Sequence, residues 1–85
     1  MKLLLCSIYD GAVAAYQPLF TSRSKGEASR TFADAVTDTN SPFNKHPGDF
    51  TLYAVATFDD KLCLIEPIEP TEKIITALEC LSTLN

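Results

Sequence analysis

Residues 41–65, SPFNKHPGDFTLYAVATFDDKLCLI, decide the fold. The stretch opens as a polar loop punctuated by Pro42 and Pro47, then changes character at Phe50. Phe50, Leu52, Ala54, Ala56 and Phe58 alternate with Thr51, Tyr53, Val55 and Thr57. A period of two, with β-branched and aromatic residues on both sides, predicts a central strand over residues 50–58. Asp59-Asp60-Lys61 supplies a polar turn, and residues 62–65 return as a shorter strand, which makes a hairpin.

Working outward, residues 2–9 form a continuous apolar run of strand length, predicted to be covered on both faces. Asp10-Gly11 reads as a two-residue turn, because glycine accepts positive φ without steric cost. Residues 12–20 would be the return strand. Their alanines are weak strand formers and Pro18 has no N–H for a ladder, which places them at an edge. Ser24-Lys25-Gly26-Glu27 fits a capping box, predicting a helix from 25 to 36 or 37. Ala28, Phe32, Ala35 and Val36 share its inner face, while Arg30 and Asp34 look outward, an i,i+4 pair. Gly26 weakens the first turn by up to roughly 1 kcal/mol relative to alanine.

Residues 37–48 read as a long loop, a type of segment that is often functional. Glu66-Pro67-Ile68-Glu69-Pro70 reads as an extended crossing. Thr71 then caps a last helix over 72–81, with an Ile74, Ile75, Leu78 and Leu81 stripe and Glu72 at the positive end of its dipole. Residues 82–85 are expected to fray. The order β-β-α-β-β-α predicts an α+β fold in one domain, residues 1–85. Its form is a four-stranded, mostly antiparallel sheet with two helices packed on one face. Parallel and antiparallel pairing of strand 50–58 with the first strand both fit the sequence.

Composition sets the function classes. Hydrophobic residues make up 46% of the 85, enough for a modest core. The formal charge of −4 argues against a strong, sequence-independent grip on nucleic acid. The charge is uneven: residues 1–48 hold five Lys/Arg against four Asp/Glu, and residues 49–85 hold two against seven. A local basic patch in the first half therefore survives the acidic total. Cys6, Cys63 and Cys80 are an odd number at wide spacing and read as reduced, partly buried small hydrophobes. The opening MKLLLC is too short an apolar run for a leader, and nothing approaches the roughly 20 apolar residues of a membrane span. A soluble protein without cofactor is expected.

The string S-P-x-x-K-H-P-x-D-F-x-L-Y-x-V-x-x-F-D, residues 41–59, resembles the small nonstructural protein of gokushoviruses. These are single-stranded DNA phages of the microvirus group. An N-terminal strand, the segment Pro18-Leu19-Phe20 ahead of a helix, and Ile65-Glu66-Pro67 extend the resemblance over most of the chain. Lys45-His46-Pro47, Asp49-Phe50 and Leu52-Tyr53 are its most specific part. Ala56, where many relatives have glycine, and a D-D-K turn without glycine depart from the pattern. The resemblance implies a role in viral single-strand DNA synthesis or DNA binding, in the host cytoplasm.

The residues themselves nominate few sites. His46 is the lone histidine, without the partners a metal site needs, and reads first as a loop-shaping residue. Arg23, Lys25, Arg30 and Lys45 are the cations available to phosphate, two of them near a helix N-terminus. Phe43 and Tyr53 are the aromatics available for base stacking. Phe43 draws more interest because no periodicity asks for its burial, although such a residue more often plugs the side of a core. Asp59 and Asp60 are explained by their turn. The acidic Glu66, Glu69, Glu72 and Glu79 read as a solvated surface, or as a docking face for a basic protein. There is no phosphate-binding loop, nucleophile elbow, zinc motif or acid/base pair, so a non-enzymatic protein is expected. Single-stranded DNA is the expected partner, at Arg23, Lys25, Arg30, Phe43, Lys45 and His46. The alternative is an adaptor for the replication initiator, a capsid precursor or a host factor. Tyr53, Val55 and Thr57, with Glu66 and Glu69, are the protein-docking candidates, and the first three are expected to bury a homodimer contact.

Overall fold

The computed structural model describes residues 1–82, and all of its strand pairings are antiparallel. β1 (Lys2–Asp10) lies between β4 (Phe50–Asp59) on one side and β2 (Ala15–Tyr16) with β3 (Phe20–Ser22) on the other. β5 (Leu64–Thr76) pairs with the far side of β4 and forms an edge. Both apolar runs thus become central strands, as their sequences predict, and the choice left open for β1 and β4 falls to antiparallel.

The predicted return strand is divided. Residues 11–14 form a four-residue turn in place of a tight one, and Ala14, not Gly11, takes the positive φ, at 54°. Gly11 serves a different purpose: its N–H donates to the Asp49 carbonyl at 2.7 Å, bringing the turn beside the start of β4. Between β2 and β3, the buried Ser7 hydroxyl donates to the Gln17 carbonyl at 2.6 Å.

α1 (Lys25–Thr37) starts where the sequence places it, with Ser24 Oγ accepting the Glu27 N–H at 3.1 Å. Its Ala28, Phe32 and Val36 meet Cys6, Phe50 and Leu52 of the sheet, and Ala77 and Cys80 of α3 (Ala77–Ser82) close the same core. Two helices therefore cover one sheet face.

Two segments differ from expectation. Residues 37–48 contain a short helix, α2 (Pro42–Lys45), capped by Ser41, then a 3-10 turn, Pro47–Asp49. Residues 66–76, read as a crossing and then a helix, belong to β5, which contains a cis Glu69–Pro70 bond. The helix begins at Ala77, five residues later than expected, at a reciprocal capping box: Glu79 donates its N–H to Thr76 Oγ at 3.0 Å and accepts the Thr76 N–H at 3.1 Å. Ile74 and Ile75 still pack on the core, but from a strand, and Leu78 is exposed. Of the residues expected to fray, 83–85 lie outside the described ones.

β4 carries the feature that rearranges its faces. Leu5 pairs with Ala56 and Cys6 with Ala54, so Val55 is passed over, and the β5 ladder passes over it too. One extra residue reverses the side-chain alternation relative to the neighbouring strand. Tyr53 consequently stands across from Ser7, whereas Thr57 stands across from Leu4, which packs on the core. Tyr53, Val55 and Thr57 do not make the single flat patch that the unbroken period suggests.

Candidate nucleic-acid interface

The cations nominated from sequence separate into paired and unpaired. Lys25 Nζ lies 2.6 Å from Glu72 Oε1, a bridge from α1 to β5. Arg23, Arg30 and Lys45 are exposed and make no ion pair among the described residues. The expected Arg30–Asp34 pair is absent there, which leaves the guanidinium to solvent. Arg23 precedes the Ser24 cap and Arg30 lies on α1, so both belong to the helical layer.

Lys45 and His46 end α2. The His46 N–H donates to the Pro42 carbonyl at 2.9 Å, and its own carbonyl accepts the Asp49 N–H at 3.1 Å. His46 thus joins α2 to the 3-10 turn through its backbone and leaves its imidazole exposed. Because Asp49 accepts the Gly11 N–H, this loop sits at the end of the sheet where β1 finishes and β4 begins.

Phe43 is committed to the core. Its ring lies edge-on to Phe32, with centroids 5.6 Å apart, and to Phe50 at 4.7 Å. Such geometry joins α2 to α1 and β4 and withdraws the ring from base stacking.

The aromatic cluster that does reach the surface contains two residues the sequence reading did not single out. Tyr9, Tyr16 and Tyr53 converge from β1, β2 and β4. Ring centroids are 4.9 Å apart for Tyr9–Tyr16, 5.8 Å for Tyr16–Tyr53 and 6.5 Å for Tyr9–Tyr53. Tyr9 pairs with Tyr16 in the ladder, and Tyr53 on β4 lies diagonal to Tyr9, whose direct partner is Thr51. Tyr9 and Tyr53 alternate with the core residues Ile8 and Leu52, and Tyr16 is the ladder partner of Tyr9, so the cluster stands on the sheet face away from the helices. Tyr16 remains 48% exposed. Lys73 pairs with Tyr53 across the β4–β5 ladder, its ammonium 3.1 Å from Glu79 Oε1.

The docking candidates on β5 are exposed. Glu66 lies 3.8 Å from Lys2 Nζ, and Glu69 precedes the cis proline. Met1, Leu62, Leu64 and Ile65, all exposed, gather at the hairpin end of the sheet, opposite to the tyrosines. Cys6 and Cys80 are buried and Cys63 is exposed, a departure from the expectation of three partly buried thiols. Among the described residues no group of three or more His, Cys, Asp or Glu is placed to hold a metal ion. No helix there is long and apolar enough to cross a membrane.

Comparison with curated proteins and with solved structures finds no match. A family model, described as Phage ORF5 protein, matches residues 3–80, from the first leucine of β1 to Cys80 in α3. The chain belongs to the Phage ORF5 protein family.

Proposed function

We propose that this phage protein is a non-enzymatic nonstructural protein of the gokushovirus type. It acts in the host cytoplasm as an accessory to viral single-stranded DNA synthesis, through weak binding of single-stranded DNA and without a cofactor. The observation that carries this reading is the set of unpaired Lys and Arg side chains in residues 1–48. Carboxylates outnumber Lys/Arg by 11 to 7, yet Arg23, Arg30 and Lys45 stay exposed and unpaired among the described residues. Cations left to solvent in an acidic chain are the groups that can replace counterions on phosphate. Three of them give modest affinity that falls steeply with salt.

Fluorescence anisotropy with a labelled oligonucleotide tests the reading. Arg23→Glu with Arg30→Glu is expected to weaken binding at tens of millimolar salt and to flatten its salt dependence. Absence of binding by the unaltered protein at that salt refutes direct DNA contact.

A second reading, a protein adaptor, is favoured by β5, an edge strand exposed along most of its length that carries Glu66 and Glu69. Unpaired edges accept a further strand, and carboxylates there select a basic one. Glu66→Lys with Glu69→Lys is expected to abolish capture of a basic viral or host protein while leaving oligonucleotide binding intact. The hairpin end of the sheet, with Leu62, Leu64 and Ile65 exposed beside that edge, supports a homodimer.

A further inference from the structure

We infer that Tyr9, Tyr16 and Tyr53 form a stacking platform for the unpaired bases of single-stranded DNA. The inference rests on the reading above that the chain contacts such DNA, and it assigns the surface where the bases go.

The three rings meet at 4.9, 5.8 and 6.5 Å in tilted and edge-on contacts, with interplanar angles of 59°, 71° and 90°. Such contacts fix the rings without covering every π face, and Tyr16 keeps nearly half of its surface in water. The backbone holds the platform in place. Tyr9 and Tyr16 are locked by their ladder pairing, and the Ser7–Gln17 bond at 2.6 Å anchors the chain just after Tyr16.

The chemistry of the surroundings selects the occupant. Across from Tyr53 stands Lys73, and Thr51 pairs with Tyr9. Lys45 and His46 lie at the same end of the sheet, brought there by the Gly11–Asp49 hydrogen bond. Of the acids nearby, Asp10 Oδ1 accepts the Ala12 N–H at 3.0 Å and Glu79 holds Lys73 and the Thr76 N–H, while the Asp49 carboxylate makes no side-chain hydrogen bond or ion pair among the described residues. Phenol rings beside the ladder partner Lys73, with Lys45 and His46 at the same end of the sheet, match a strand that offers flat bases and phosphates. The exposed side chains Met1, Leu62, Leu64 and Ile65 lie at the other end of the sheet, while Val13, in the 11–14 turn at the tyrosine end, and Leu19 are exposed as well. The tyrosine face takes the place that Phe43, partly buried and packed edge-on against Phe32 and Phe50, cannot fill.

The chain has three tyrosines and no tryptophan, and all three tyrosines are in this cluster. Tyrosine ring signals in NMR therefore read this surface alone. The experiment titrates the full chain, and its Tyr16→Leu, Tyr53→Leu and Tyr53→Phe variants, with a single-stranded oligothymidine at low and moderate salt. Anisotropy and ring signals are followed together, and a duplex of equal length serves as competitor. Platform binding predicts ring shifts on addition of the oligonucleotide and weak competition by duplex. Each Leu variant is expected to bind about tenfold more weakly at every salt concentration, with an unchanged salt slope, and Tyr53→Phe to bind as the unaltered protein does. Tyr16→Leu, at an exposed ring, keeps the test clear of misfolding. Binding that both Leu variants retain overturns the platform and leaves the DNA-binding reading standing. No binding by the unaltered chain refutes both. Ring signals that move with protein concentration but not with oligonucleotide assign the face to a second copy and overturn the proposal.

Discussion

Cys63 sits in the β4–β5 turn at φ 53°, a left-handed conformation that side-chain-bearing residues seldom adopt, and its thiol is exposed. Cys6 and Cys80 lie in the core. Burial pushes both thiols up, and the Glu79 charge adds to the rise at Cys80. A raised thiol pKa and lack of access both suppress reaction, because the thiolate is the nucleophile. One thiol per chain is therefore expected to react with a maleimide in the native state and three after denaturation. Rapid native labelling of two or more would contradict the packing of Cys6 and Cys80. Of the two aromatics that sequence offers for stacking, Tyr53 stands on an open face and Phe43 is taken by the core. Neither outcome follows from the residue alone, since each depends on neighbours far along the chain.

At the scale of elements, the end of β5 and the start of α3 form the junction most open to experiment. Glu79 is held below the usual carboxylate range by the Thr76 N–H first, then by the Lys73 ammonium and the Thr76 hydroxyl. A carboxyl depressed in the folded state contributes its full stabilisation above the unfolded-chain value. That contribution is lost as pH falls through the folded value. Thermal stability is thus expected to decline on acidification below the ordinary glutamate range, and Glu79→Gln should remove that part of the decline. Thr76→Ala, which deletes the other half of the box, is expected to cost about 1 kcal/mol at neutral pH. Equal acid sensitivity in the unaltered protein and Glu79→Gln would show that the carboxylate does not carry the effect. α1 needs no such rescue, because its cap and apolar stripe are local and agree with each other.

At the scale of the molecule, the hairpin end of the sheet leaves Leu62, Leu64 and Ile65 exposed beside the unpaired edge of β5. A domain this small gains stability by association, and an uncovered edge is the usual place for it. The homodimer is accordingly expected to form there, and not through the patch centred on Val55, which the bulge breaks up. Light scattering at micromolar concentration should give twice the chain mass, and Ile65→Lys should return it to one chain. A clean mass near 9.3 kDa for the unaltered protein refutes the dimer. Tyr53→Leu is expected to leave the mass unchanged, which separates the two ends of the sheet.

The sequence by itself determined the central strand β4, the apolar strand β1, the helix α1 with its serine cap, and the α+β class with a mostly antiparallel sheet, but not the direction in which β1 and β4 pair. These depend on spacing within a dozen residues, where periodicity and capping act directly. It also showed the acidic balance and the cations of the first half. Tertiary structure alone decided the rest. Ile74, Ile75, Leu78 and Leu81 have helical spacing, yet the β4 edge offers residues 64–76 a hydrogen-bond ladder, and the strand prevails until the Thr76–Glu79 box. Tyr9, Tyr16 and Tyr53 meet only because a four-residue turn sets the β1–β2 register and Val55 bulges from β4. A register is a property of two strands at once, and a one-residue slip in it exchanges the faces of a sheet. Which side chains share a surface is therefore fixed by pairing energetics that no single stretch of sequence contains.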